Sequence, residues 1–146
     1  MIHFAPLKTS PEWAYAKKLV NPVMCEDSQG IMAYEDRGDG FIPVAVCVLD
    51  SFGPDSCSAH IGIENPFVIK HGFINEICRH VFHACGKQRL FGMVPADNVK
   101  ALRFDRHIGM TECARIPNGY KSGVDYIIMV MEKESCRWIE QVREAA

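Results

Sequence analysis

The sixteen residues HGFINEICRHVFHACG, from His71 to Gly86, constrain the fold most, because they carry the clearest helical period in the chain and stand between two strand signals. At about 100° per residue, Ile74, Val81, Phe82 and Cys85 fall within about 60° of Cys78, while Glu76, Arg79, His80 and His83 fall on the far side. Gly86 ends the pattern as a C-cap residue would. Upstream, SAHIGI reads as a short strand with His60, Gly62 and Glu64 pointing one way and Ile61 and Ile63 the other. Downstream, RLFGMV reads as a buried apolar strand. A strand, a helix and a second strand in succession call for a crossover, so part of the sheet is expected to be parallel.

The remaining elements arrange themselves around that unit. MIHFA alternates as a short first strand, and TSPEWAYAKKLV reads as a helix with Ser10 as N-cap, Pro11 in the first turn and Trp13, Ala16, Leu19 and Val20 on one face. IMAYED, the turn RGDG and FIPVAVCVLD read as two paired strands, Pro43 being tolerable only near the start of the second. In VPADNVKALRFDRHIGM, a helix closed by Gly109 puts Asn98, Ala101, Leu102 and Asp105 on one stripe. A carboxylate on that apolar stripe implies a polar site beside it, a core carboxylate satisfied by capping or by pairing with Arg103 or Arg106, or a different helix start. TECARI and VDYIIMVMEK are two further strands around the loop PNGYKSG, and ESCRWIEQVREAA is expected as a last helix. The order predicts an α/β (α+β) architecture: one domain over 1–146, with a mixed, mostly antiparallel sheet of six to seven strands and helices on both faces.

Charge and cysteine usage exclude several classes of function. The net charge is −2 with Lys and Arg scattered, unlike the footprint of a nucleic-acid binder. No apolar run reaches the ~18 residues that would cross a bilayer, and MIHFAPLKTS is no basic-then-apolar leader, so a cytoplasmic protein is expected. Seven cysteines without a Cys-x-x-Cys pair fit free thiols in a reducing compartment. CRHVFHAC brings Cys78, His80, His83 and Cys85 close in sequence, but on an α-helix both cysteines face the core and both histidines face away. No metal site is therefore expected there. A cysteine and histidine pair acting as a nucleophile is disfavoured by apolar surroundings, which leave a thiol inert.

Two pieces of sequence resemble the GNAT superfamily of acyl-CoA-dependent N-acetyltransferases. NVKALRFDRHIGM is similar to the family's fourth helix in Asn98, Ala101 and Gly109, with Met110 where Phe is usual. IENPFVIKHGFINEI is similar to the end of its fourth strand, its pyrophosphate loop and the start of its third helix; Pro66 and Gly72 match. Ile69 replaces the usual Arg or Gln, and Ile74 brings a branched side chain where the family keeps Gly or Ala, against the phosphate. Short, degenerate members of this kind look like those encoded by bacteriophages.

The resemblance implies acetyl-CoA as cofactor, a small-molecule or peptide amine as acceptor, direct attack on the thioester, and neither nucleic acid nor membrane as partner. A homodimer is compatible with it. Val68, Ile69, Lys70, His71, Gly72, Phe73, Ile74 and Asn75 would hold the cofactor's pyrophosphate through backbone N–H groups and the positive end of a helix, with Asn98 and Ala101 contributing from the next one. Glu64 and His60 are the candidate bases by location. Asp105 stands where the family often has the Tyr that protonates the leaving thiolate, and can do so only if burial raises its pKa well above ~3.9. Tyr120 and Tyr126 of the last hairpin are substitute acids. The resemblance also admits a second class of function, a catalytically lapsed fold kept as a binding or virion-assembly module.

Overall fold

The computed structural model describes residues 1–22 and 25–141. Seven strands form one sheet in the order β1-β2-β3-β4-β5-β7-β6, with β1 (Ile2–Pro6), β2 (Gln29–Asp36), β3 (Phe41–Asp50), β4 (Ser56–Ile63), β5 (Arg89–Pro95), β6 (Thr111–Lys121) and β7 (Val124–Glu132). Every neighbouring pair is antiparallel except β4 and β5. The helices are α1 (Ser10–Val20), a single turn α2 (Phe67–Lys70), α3 (Phe73–Arg79) and α4 (Val99–His107). No helix among the described residues is long and apolar enough to cross a membrane.

The sheet is covered on both faces because an inner strand, β3, is apolar on both. In β3, Val46 and Val48 join Leu7, Ala16 and Met32 beneath α1. Their neighbours Cys47 and Leu49 join Phe73, Ile77 and Phe82 of the α3 side and Leu102 of α4 in the larger cluster. Alternation with a period of two delivers each set to its own face. Burial of these side chains at roughly 1.5–3 kcal/mol each is the main stabilising contribution. The helix α1 is fixed at its start by a capping box. Thr9 caps it, one residue before the Ser10 expected from sequence, and the Glu12 carboxylate accepts from the Thr9 N–H at 2.9 Å. The Tyr34 hydroxyl also donates to Glu12, and with the Lys8 and Thr9 amides it holds that carboxyl down at about 2.

Three local expectations need correction. The helix expected over 71–86 starts at Phe73 and changes pitch to a π-helical turn, His80–Ala84, where the Cys85 N–H donates to the His80 carbonyl at 2.8 Å. The residues PNGYK belong to β6 rather than to a loop. There Asn118 takes a left-handed φ of 54°, and its amide and side chain bond to Asp125 and Gly123. The expected last helix is a 3₁₀ turn, Lys133–Ser135, followed by an irregular segment to Gln141; residues 142–146 lie outside the described residues. That segment is tied down by tertiary bonds. The Trp138 indole donates to the Ile108 carbonyl at 2.6 Å, and its own carbonyl accepts from the Asn75 side chain at 3.0 Å.

Candidate active site

Strands β4 and β5 pair at only three positions, Ser56 with Arg89, Cys57 with Leu90 and Ser58 with Phe91. Beyond these the strands separate. The far edge of β4 stays bound to β3 as far as Ile63, and the far edge of β5 stays bound to β7 as far as Pro95, so each half of the sheet follows its own neighbours and twist. The facing edges have no strand partner past Ser58 and Phe91, which leaves backbone donors and acceptors directed into the gap. The gap is a cleft through the sheet of about 500 Å³.

Strand register sorts the walls by face. His60 lies opposite Val48 and Gly62 opposite Val46, so both belong to the α1 face, as do Phe91, Met93 and Pro95 of β5. At the α1 mouth the lining is Leu19, Val20, His60, Gly62, Met93 and Pro95. A Cβ on Gly62 would lie 2.6 Å from the Leu19 Cγ, so glycine is what allows the end of α1 to close over this mouth. At the opposite mouth stand Asn98, Lys100, Ala101, Phe104 and Asp105 of the α4 region.

His60 is held by a residue the sequence did not single out. Its Nε2 lies 2.8 Å from an oxygen of Asp50, which is 4% exposed and also accepts from the Ser51 hydroxyl at 3.1 Å. A carboxylate only accepts, so Nε2 carries the proton and the neutral ring has its lone pair on Nδ1. A half-buried imidazole oriented by a buried carboxylate is an arrangement suited to general-base work. The available signal was a carboxylate closing the apolar run FIPVAVCVLD; only the register, Asp50 opposite Ser58, brings it diagonal to His60.

Asp105 lies on the other wall, and burial pushes its carboxyl up to about 6. Among the described residues it has no ion-pair partner, so neither Arg103 nor Arg106 neutralises it. Asn98 is the N-cap of α4, its side chain accepting from the Ala101 N–H at 3.2 Å. This fixes the start of the helix that carries Asp105.

The stretch 68–75 is not the open loop expected. Phe67–Lys70 forms the turn α2, and the N–H groups of Val68, Ile69, His71 and Gly72 donate to carbonyls inside 65–69. Lys70 is exposed above the Phe67 ring, and His71 is exposed beside it. Gly72 takes φ 94°, a left-handed conformation suited to glycine, and its carbonyl accepts the first intrahelical bond of α3 from Glu76. The amides of Phe73, Ile74 and Asn75 precede that bond and are the positive end of the helix. Val68, Phe73 and Ile74 turn their side chains into the core. The Ile74 side chain, 1% exposed, is thus directed into the protein and does not stand over the helix start as the substitution suggested. Residues 68–75 do not line the cleft itself.

The other candidates fall outside the cleft. Glu64 is exposed past the end of β4 and lies near Tyr15, whose hydroxyl is buried. Burial first, and the nearby Glu64 carboxylate second, push that phenol up to about 12. Tyr120 and Tyr126 stack edge to face at 5.6 Å in the last hairpin and do not line the cleft. The helical-wheel argument that separated His80 from Cys85 fails because of the π turn, in which an extra residue per turn rotates one toward the other: the His80 ring nitrogen lies 3.5 Å from the Cys85 sulfur and 2.7 Å from the Gln29 side-chain oxygen.

Comparison with solved structures places this architecture. The chain is similar to the spermidine/spermine N-acetyltransferase SpeG from Vibrio cholerae, at 13% identity and a TM-score of 0.71 over 91% of this chain and 93% of that one. It is similar to a putative GNAT-family acetyltransferase from Desulfovibrio desulfuricans, at 13% identity and a TM-score of 0.72 over 91% and 99%. It is also similar to the ribosomal-protein-S18-alanine N-acetyltransferase from Escherichia coli, at 15% identity and a TM-score of 0.67 over 90% and 94%. No protein-family model and no curated protein matches the sequence. The chain has the GNAT fold.

Proposed function

We propose that this protein is an N-acetyltransferase that moves an acetyl group from acetyl-CoA to a primary amine by direct attack. The observation that carries this reading is the through-sheet cleft with a carboxylate-held imidazole on one wall and a partly buried carboxyl of raised pKa on the other. A structure similar to this chain, spermidine N-acetyltransferase from Vibrio cholerae, holds CoA and spermine, at 11% identity and a TM-score of 0.72.

The fit to the cofactor rests on two features. The unpaired edges of β4 and β5 offer a slot with backbone donors, and the first amides of α3 after Gly72 offer a positive helix end for the pyrophosphate. Within the expected set, Phe73, Ile74 and Asn75 act through backbone N–H, Gly72 permits close approach, and Lys70 adds a cation. Asn98 and Ala101 shape the α4 side of the slot. Acetyl-CoA, when bound, supplies an acyl group already activated as a thioester. His60 Nδ1 takes the proton of the attacking ammonium from the α1 side, and Asp50 stabilises the imidazolium that results. Backbone N–H groups on the splayed edges donate to the oxygen that gains charge. Asp105, at the α4 mouth, returns a proton to the departing sulfur when it is in its protonated form, which burial favours. Glu64, at the rim, is assigned no step.

A cytoplasmic setting agrees with the unbridged buried thiols Cys47, Cys57, Cys78 and Cys136, and the edge strand β6, exposed along its length, is the surface a homodimer would use. Isothermal titration with acetyl-CoA and release of free thiol on adding a mixed panel of amines test the reading. Micromolar binding and amine-dependent thiol release are expected. No binding at millimolar cofactor removes the reading and leaves the fold serving as a binding or assembly module.

A further inference from the structure

We infer that the acceptor is a monoamine on an apolar body, an alkylamine or arylalkylamine, and not a polyamine. This rests on the acetyltransferase reading and concerns the α1 mouth, the side from which an acceptor would reach His60. Leu19 and Val20 at the end of α1 form one side of that mouth, and Met93, 51% exposed on β5, forms the other. The register places Ile128 and Tyr126 of β7 beside Met93 and Pro95, so the apolar surface continues outward from the mouth. Among the described residues lining this side there is no carboxylate. Asp50 is covered and already engaged by His60 and Ser51. Glu64, which the alternation of β4 puts on this face, lies outside the lining and near Tyr15. Asp105 belongs to the opposite mouth.

The consequence follows from desolvation. A chain with several ammonium groups would bring at least one extra charge against Leu19, Val20 and Met93, giving up its hydration with nothing to replace it. An amine with a single ammonium presents that charge to His60 and lays its carbon skeleton along the aliphatic wall, where burial is favourable. Binding discriminates through what the wall cannot satisfy as much as through what it attracts.

Initial rates with acetyl-CoA and either phenethylamine or spermidine test this, alongside saturation-transfer NMR of each amine with the cofactor-free protein. The expected result is a kcat/KM at least tenfold higher for phenethylamine, and saturation transfer to its ring and methylene protons but not to spermidine. The variant Met93→Glu, at an exposed position, should reduce that ratio at least tenfold, with an unchanged thermal midpoint reporting an intact fold. Faster turnover of spermidine by the unaltered protein, or a ratio unmoved by Met93→Glu, overturns the inference and leaves the acetyltransferase reading standing. Failure to bind acetyl-CoA overturns both.

Discussion

Replacing Asp105 with Asn isolates the cost of an ionised carboxyl in the cleft wall. Burial raises this group from 3.8 to about 6. At about 1.4 kcal/mol per pH unit, that gap makes ionisation of Asp105 cost the folded chain about 3 kcal/mol, and partial solvation through the open cleft reduces the figure to about 1–3 kcal/mol. The sign is fixed by which state holds the proton more tightly. The folded state does, so the native protein bears no penalty below about pH 3.8, loses stability as pH rises toward about 6, and bears the full cost above it. Asn at 105 has the size of the protonated form and no charge to lose. Urea unfolding at pH 4 and pH 7.5 should give nearly equal stabilities for the two proteins at the lower pH. At the higher pH the variant should be more stable by about 1–3 kcal/mol, with the same denaturant slope. A stability difference independent of pH, a variant less stable at pH 7.5, or an Asp105 carboxyl that titrates near 3.8 by NMR would refute the burial argument. If Asp105 also returns a proton to sulfur, the same variant lowers kcat, a separate readout.

His60→Gln should lower kcat by about 10²-fold or more, the usual contribution of a positioned base, and Asp50→Asn should lower it at least tenfold. Unchanged kcat in both would remove the imidazole from the chemistry. Gly62→Ala puts a Cβ 2.6 Å from the Leu19 Cγ and should destabilise by about 1–3 kcal/mol in thermal or urea unfolding, as overpacking does. Trp138→Phe removes the indole bond to the Ile108 carbonyl, costing about 0.5–1.5 kcal/mol, and should speed hydrogen exchange at the end of α4.

The strands and helices were legible in the sequence because their signals are local. A period near 3.6 over 73–85 and 98–109, a period of two in SAHIGI and the capping chemistry before Trp13 each depend on neighbours within a few residues. The same locality explains the errors. A π turn costs one residue of phase without changing the apolar pattern, so the wheel that separated His80 from Cys85 had no means of detecting it. The segment after Ser135 owes its path to bonds from Asn75, His107 and Ile108, none of which a neighbouring residue announces.

The sequence by itself determined the alternation that sends Val46 and Val48 to one face and Cys47 and Leu49 to the other, and the stripe that commits Asp105 to the inner side of α4. Tertiary structure alone decided that β4 and β5 separate after three pairs, that Asp50 meets His60, and that Asp105 sits in a cleft without an ion-pair partner among the described residues. Periodicity is written by adjacent residues. The distance between two strands and the dielectric around a carboxyl are set by every element packed against them, and those elements come from across the chain.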